Sequence, residues 1–166
     1  DQSNSDNARI QPVFNFLVME GFRPAITDDL NVSFKAEGDL YWIHLDGKDK
    51  TYYRLIAPDY WVIESQEELN RAFVAANFVS RSIKHIKASV NDDNSNVSFA
   101  FESFYSDVED FLPFISKTLT MLKTGKNYFV TAMNNLKPEP TEMEHALDET
   151  TDEVTATEPQ NTLDPL

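Results

Sequence analysis

Cysteine is absent from this 166-residue sequence, glycine occurs only 4 times, and no apolar run approaches the roughly 20 residues of a membrane-spanning helix. The absence of cysteine excludes disulfides, thiol catalysis and cysteine-ligated metals. The few glycines leave no glycine-rich phosphate loop, and no G-x-S-x-G nucleophile motif occurs. We expect a cytoplasmic location because a chain without cysteine suits a reducing compartment, and the presence of a removed N-terminal segment is left open.

Basic residues are also scarce, since 14 Lys and Arg stand against 28 Asp and Glu, a formal net charge of −14. From residue 137 onward nine acids face one base, so −8 of this charge lies in residues 137–166 and −6 in the rest. We therefore expect no nucleic-acid partner and no membrane partner, because binding to phosphates or anionic lipids needs clustered cations. Residues 137–166 also contain four prolines and no aromatic residue, which predicts a disordered acidic tail.

The sequence before this tail has ample material for a hydrophobic core, because 41% of the whole chain is hydrophobic and 12 residues are Phe. Residues 1–7 are polar and are predicted to form a flexible N-terminus. A helix follows, with Ile10 and Leu17 on one face, Pro12 tolerated in the first turn, and a stop at Gly21.

Three antiparallel strands are predicted next, from alternating apolar residues separated by turns of hairpin length. They cover residues 32–36, 40–46 and 52–57. Pro58 then interrupts the pattern before residues 60–63, which indicates a bulge or an edge position, because proline cannot donate a sheet hydrogen bond.

A second helix is predicted to begin at Ser65, which forms a capping box with Glu68. Its apolar stripe consists of Leu69, Ala72, Phe73, Ala76, Val79 and Ile83. Two further strands follow at residues 86–90 and 97–101, joined by a polar turn.

A long helix completes the predicted fold. Ser106 and Glu109 form a second candidate capping box before it, and Pro113 indicates that the helix starts late or kinks. The resulting order is α-β-β-β-α-β-β-α, an α+β fold in which helices pack against an antiparallel sheet. We expect one domain over residues 8–136, between the flexible N-terminus and the acidic tail.

Five segments carry a family resemblance: Phe34-Lys-Ala-Glu-Gly-Asp-Leu-Tyr-Trp-Ile-His-Leu-Asp46, Tyr53-Arg-Leu55, Pro58-Asp-Tyr-Trp61, Ala75-Ala-Asn77 and Ile83-Lys84. Over about residues 13–133 the chain resembles the YbjN-type family, small bacterial proteins labelled sensory-transduction regulators. The resemblance implies a fold similar to that of type III secretion chaperones. By analogy with those chaperones it implies a protein partner, with homodimer formation left open, and it implies no catalytic residues.

No catalytic, cofactor-binding or metal site is predicted. The histidines His44, His85 and His145 lack the H-x-x-x-H or H-E-x-x-H spacing of a helical zinc site. Residues 92–96 begin like a calcium loop, but the glycine and the final glutamate that such a loop requires are missing. We interpret this segment as a polar hairpin turn.

Positive charge is concentrated locally at Arg81, Lys84, His85 and Lys87. We interpret this cluster as the solvated end of the second helix. The functional alternative is that it docks an acidic partner, or the acidic tail of the same chain.

The second and third predicted strands are apolar or aromatic on both faces, whereas the first and fifth each have one polar face. Either this part of the sheet is covered on both faces, with Tyr60 and Trp61 in the cover, or it exposes an aromatic patch to a partner. A peptide added at the sheet edge is one form of the second alternative. The partner-binding candidates are Leu40, Trp42, Tyr52, Tyr53, Ile56, Tyr60 and Trp61.

These observations favour a non-enzymatic protein-binding module, chaperone- or adaptor-like and without a cofactor. The alternative is a small-ligand-binding sensor domain with a pocket between the sheet and the helices. A third interpretation places the function in the acidic tail, whose simplest role is solubility and spacing.

Overall fold

An antiparallel sheet is the centre of the fold. The structure, a computed structural model, describes residues 2–27 and 31–137, so the predicted tail lies outside the described residues except for Lys137. Within these residues the strands are β1 (Ala25–Ile26), β2 (Asn31–Ala36), β3 (Asp39–Leu45), β4 (Tyr52–Val62), β5 (Ile86–Val90) and β6 (Asn96–Phe104). They form one sheet in the spatial order β1-β2-β3-β4-β6-β5, and every pairing is antiparallel. The sequence did not predict β1, because two residues are too few to show an alternating pattern.

Helices cover one face of this sheet. They are α1 (Gln2–Met19), α2 (Gln66–Ser82), α3 (Val108–Phe111) and α4 (Ile115–Asn135), with a 3-10 turn at Leu112–Phe114. Val13, Val79 and Phe129 from three of the helices are fully buried in one cluster with Leu55 and Phe99 of the strands. None of these helices has the length and apolar character needed to cross a membrane. The predicted α+β class, with helices packed on an antiparallel sheet, is confirmed.

The first helix begins at Gln2, six residues before the predicted start, so residues 2–7 have helical backbone. Pro12 consequently lies inside the helix and not in its first turn. An interior proline removes one backbone hydrogen bond and crowds the preceding turn. Val13 and Leu17 are fully buried, and this burial offsets the cost of the proline.

The capping box of α2 is confirmed, with a change in one of its two bonds. The Ser65 hydroxyl accepts the backbone N–H of Glu68 at 3.1 Å. The Glu68 carboxylate accepts the backbone N–H of Glu64 at 2.8 Å, one residue before the expected donor. The prediction that Phe73 is buried is wrong, because Phe73 is 51% exposed while Ala75 is fully buried. Alanines on α2 form the face against the sheet and α4, and the bulkier ring is directed outward.

The second capping box is wrong in position. The N-cap of α3 is Asp107, whose carboxylate accepts the N–H of Val108 at 2.6 Å. Aspartate caps as well as serine does, and the buried Val108 side chain sets where the helix begins. Pro113 lies in the 3-10 turn and α4 begins at Ile115, so the predicted late start of the long helix is confirmed.

Pro58 lies within β4, which continues through it with a bulge between Ala57 and Trp61. The bulge is confirmed, and although β4 lies between β3 and β6, Pro58 itself occupies an edge position on the side of β3. The ladder between β3 and β4 extends only to Ile56. Pro58 therefore lies beyond this ladder, and its missing N–H costs no bond to β3.

Candidate functional site

The seven partner-binding candidates are divided between the two faces of the sheet. Tyr53, Tyr60 and Trp61 lie on the face that the helices cover. Leu40, Trp42, Tyr52 and Ile56 lie on the opposite face, here called the open face. Adjacent residues of a strand point in opposite directions, so the two groups cannot act on one partner surface.

Tyr53 is only 1% exposed and belongs to the core. Its ring stacks on Phe111 with the centroids 5.0 Å apart, and the guanidinium of Arg9 lies 5.3 Å from the ring centre. Arg9 also donates to the carbonyl of Asp46 at 2.9 Å, which closes the end of the β3–β4 hairpin. Tyr53 is therefore unavailable to a partner, which corrects its inclusion among the binding candidates.

Tyr60 and Trp61 also pack inward, because the bulge in β4 rotates the strand after Ala57. The Tyr60 ring meets Phe99 edge to face at 5.4 Å, and the Trp61 ring meets Phe129 at 5.6 Å. The indole N–H of Trp61 donates to the Glu68 carboxylate at 2.9 Å, which joins β4 to the first turn of α2. For these two residues the interpretation as core cover fits the structure.

The open face carries an apolar row that no described helix covers. Trp42 is 38% exposed and Leu40, two residues earlier on β3, is 41% exposed. Trp42 pairs across the sheet with Ile56, which in turn pairs with Ala100. Ala100 is small and is itself buried, so Trp42 projects as the largest side chain of the row.

A polar row runs across the open face next to the apolar one, through the paired residues His44, Arg54 and Glu102. The Nδ1 atom of His44 lies 2.7 Å from the side-chain oxygen of Asn31. The Glu102 carboxylate lies 3.1 Å from Nε of Arg54 and accepts from Lys87 at 2.6 Å. Burial alone would raise the pKa of Glu102, but the hydrogen bond from Lys87 and the two positive charges outweigh it and lower the pKa.

Beyond this polar row Tyr52 pairs with Phe104, and the ring centroids are 5.8 Å apart. Phe104 is more than half exposed. Burial, followed by the nearby charge of Glu102, raises the pKa of Tyr52, so its phenol stays protonated at neutral pH and can donate a hydrogen bond. The open face thus presents two apolar patches with a charged row between them.

The open face is positively charged, in contrast to the chain as a whole. Strand alternation places the cations Lys35, Arg54 and Lys87 and the carboxylate Glu102 on it. The exposed Asp59 in the β4 bulge lies beside it, and its backbone N–H donates to the hydroxyl of Ser98 at 3.0 Å. Three cations against these two carboxylates leave a local excess of one positive charge in a chain of net charge −14, and this excess attracts carboxylates.

Lys126 on α4 is a buried charge that the sequence analysis missed. Its side chain is 4% exposed, and it donates to Asp39 at 2.7 Å and to the hydroxyl of Tyr41 at 3.0 Å. Its ammonium also lies 4.5 Å from the ring centre of Tyr41 and 4.8 Å from that of Tyr60. A signal was present, because Lys126 occupies a position on the apolar stripe of the long helix. These partners surround the ammonium group of Lys126, and we interpret the residue as a link that holds α4 against the ends of β3 and β4.

The segment predicted to be a polar turn joins β5 to β6. The side-chain oxygen of Asn91 accepts the N–H groups of Ser95 and Asn96, both at 2.9 Å. Asp93 accepts the N–H of Ser95 at 3.0 Å, and hydrogen bonds from the hydroxyl and N–H of Ser95 lower the pKa of Asp93. Within residues 2–27 and 31–137, no group of three His, Asp or Glu side chains is placed to hold a metal ion.

Comparison with known proteins bears on the fold. No family model matches the sequence, and no curated protein matches it. Among solved structures, the crystal structure of YbjN from E. coli, a candidate transcription regulator, matches with a TM-score of 0.54. The match covers 79% of this chain and 96% of YbjN, at 14% sequence identity. Identity this low shows the fold alone. The structural match confirms that the chain has the YbjN-type α+β fold that the family resemblance predicted.

Proposed function

We propose that this protein is a non-enzymatic, adaptor-like protein-binding module and that the open face of the sheet is its binding surface. The observation that carries the proposal is the apolar row around Trp42, which no element of the described residues covers, whereas the described helices pack on the other face of the sheet. Contiguous apolar surface of this kind is typical of protein interaction sites. Tryptophan in the middle of such a surface is the residue type that most often dominates binding energy.

The charges on the open face indicate the chemistry of the partner. Lys35, Arg54 and Lys87 lie around the apolar row, so a complementary protein surface has apolar side chains at its centre and carboxylates around them. A second copy of this chain, docked symmetrically through the same face, would place two patches of the same net positive charge against each other. We therefore propose a different protein as the occupant.

The polar groups of the open face support binding rather than catalysis. His44 is held by Asn31, and Glu102 is held between Arg54 and Lys87. A general acid or base needs a free side chain beside a cavity that can hold a substrate. Among the described pockets none is lined by His44 or Glu102.

YbjN is described as a candidate transcription regulator, and this description indicates only a regulatory role in general. We propose that such a role in the present chain acts through a protein partner. Direct binding to DNA is disfavoured by the net charge of −14.

The test begins with capture of the partner from the native host by the wild-type full chain, followed by measurement of its affinity for purified variants. Trp42→Ala should weaken binding about 30-fold, since truncating a central tryptophan costs about 2 kcal/mol. Lys35→Glu should weaken binding several-fold and reduce its salt dependence.

Phe73→Ala is the matched control, because Phe73 is an exposed aromatic residue on α2, away from the sheet. The affinity of this variant should equal that of the wild type. A partner bound equally by wild type and by Trp42→Ala would show that the open face is not the binding surface.

A further inference from the structure

A cavity of about 330 Å³ lies on the helix-covered side of the sheet, at the margin away from the open face. It is bounded by Lys84 and His85 at the junction of α2 and β5, by the end of β6, and by the first turns of α4. A volume of this size lies at the lower end of the range that small-molecule sites occupy.

The cavity lining is positively charged. Lys84 and Lys117 approach it from different elements, and no Asp or Glu is among the lining residues. Neither lysine forms an ion pair within the part of the chain that the structure describes. In a chain with twice as many acids as bases, two lysines without carboxylate partners at one cavity favour an anionic ligand.

Aromatic rings form the walls. Phe101 is almost fully buried, and the ring centroids of Tyr105 and Phe114 lie 5.7 Å apart. Met121 adds a flexible apolar surface. Burial raises the pKa of the Tyr105 phenol, which therefore stays protonated at neutral pH. Walls of this kind suit a flat apolar body.

A buried hydroxyl lines the same cavity. Thr118 on α4 is 1% exposed and lines the cavity. On the exposed side of the same helix, Thr120 donates to the carbonyl of Ser116 at 3.2 Å and Thr124 to that of Thr120 at 3.0 Å. The Thr118 hydroxyl is therefore placed to donate a hydrogen bond to an anionic group inside the cavity.

We propose that this cavity binds a small organic anion with a flat apolar body, such as an aromatic carboxylate. The carboxylate lies between Lys84, Lys117 and the Thr118 hydroxyl, and the apolar body packs against Phe101 and Phe114. An acidic peptide is less suited, because a cavity of about 330 Å³ is the size of a small-molecule site. The inference is independent of the proposed function, since no lining residue belongs to the open face.

The test is a titration of the full chain with 1-naphthoate and with its neutral counterpart 1-naphthamide, followed by calorimetry and by amide NMR shifts. We expect the carboxylate to bind at least about tenfold more tightly, with shifts centred on Ser103, Thr118 and Met121. Equal binding of the two compounds, or shifts centred elsewhere, would overturn the proposal. Binding of a glutamate-rich peptide while 1-naphthoate fails to bind would overturn it as well.

Variants locate the site. The double variant Lys84→Ala/Lys117→Ala should weaken 1-naphthoate binding about tenfold, because it removes both cations. Thr118→Val keeps the shape of the side chain and should weaken binding by about threefold to tenfold, because it removes a hydrogen-bond donor to the carboxylate.

Two matched controls accompany these variants: Lys35→Ala on the open face and Thr124→Val on the exposed side of α4. Both should bind 1-naphthoate as the wild type does. If the controls weaken binding as much as the cavity variants do, the anion is held by general charge and the proposed site is wrong.

Discussion

The two faces of the β3–β4 hairpin are built from alternate residues of the same strands, yet they have different environments. Ile43 and Leu55 on the covered face are fully buried beneath the helices. Trp42 and Ile56, their neighbours along the chain, retain exposed surface on the open face. Both faces carry large apolar side chains, so the presence of apolar residues alone did not determine which face forms the core. A strand pattern therefore identifies surface able to be buried, while the placement of the helices selects the face that is buried.

Substitutions on the two faces should differ most in their effect on stability. Phe99→Ala on the covered face removes a fully buried ring that meets Tyr60 and Phe129, and should lower the free energy of unfolding by about 3–5 kcal/mol. Trp42→Ala on the open face should lower it by only about 1 kcal/mol, because the indole is already partly hydrated. Urea unfolding measures both. Similar losses for the two variants would show that the open face is also part of the core.

The close approach of α4 to the covered face provides the next test. A Cβ atom at Gly125 would lie 3.1 Å from Cγ2 of Ile86 and 3.5 Å from Cγ1 of Val79. Gly125→Val should therefore lower the free energy of unfolding by about 2–3 kcal/mol through overpacking. In Gly125→Ala the gain in helix propensity, about 1 kcal/mol, should largely offset the crowding. A valine variant as stable as the wild type would mean that α4 packs less closely than the structure indicates.

Two lysines on α4 form ion pairs in different surroundings, at the edge of the covered face. Asp39→Ala leaves the buried ammonium of Lys126 without its carboxylate and should lower the free energy of unfolding by about 1–2 kcal/mol. This is less than for a fully buried pair, because Asp39 is 44% exposed. Glu37→Ala, which removes the exposed partner of Lys123, should leave stability close to that of the wild type. Thermal unfolding of the two variants side by side checks the difference.

The smallest effect is expected on the open face, from protonation of Glu102. Its pKa is lowered in the folded state, so its stabilising contribution is present above the unfolded-state value and is lost as pH falls through the folded-state value. Glu102→Gln should therefore differ most from the wild type at neutral pH, and the difference should shrink below about pH 4.5. Urea unfolding at several pH values measures this. Glu20→Gln, at an exposed position after α1, is the control and should show a smaller change over the same range.

Much of the fold could be predicted from sequence where a local pattern is strong. Alternation located five of the strands, Ser65 located the start of α2, and Pro113 indicated the late start of α4. The two-residue β1 had no such signal, because two residues are too few to show alternation and the strand is recognised only by its pairing with β2. Phe73 was expected to be buried because it lies on the apolar stripe of α2. The packing of α2 against the sheet and α4 instead leaves its ring exposed.

The candidate sites were less predictable, because their residues are distant in the chain. Lys126 and Asp39 are 87 residues apart and meet only when α4 crosses the ends of β3 and β4. The cavity beside Thr118 likewise joins β6 and α4 to the basic cluster at the end of α2. Part of that cluster, interpreted from sequence as a solvated helix end, lines the cavity through Lys84 and His85.

The α+β class, the antiparallel pairing and the strong net negative charge can be predicted from the chain alone, because composition, alternation and turn length require no knowledge of tertiary contacts. Tertiary packing sets which apolar face is covered, places Tyr53 in the core with Tyr60 and Trp61 packed against it, and leaves Trp42 projecting from the open face. Alternation along a strand directs side chains to the two opposite faces of the sheet, but it does not distinguish one face from the other. The choice between them is made by helices whose own apolar stripes must be buried against one face and leave the other exposed.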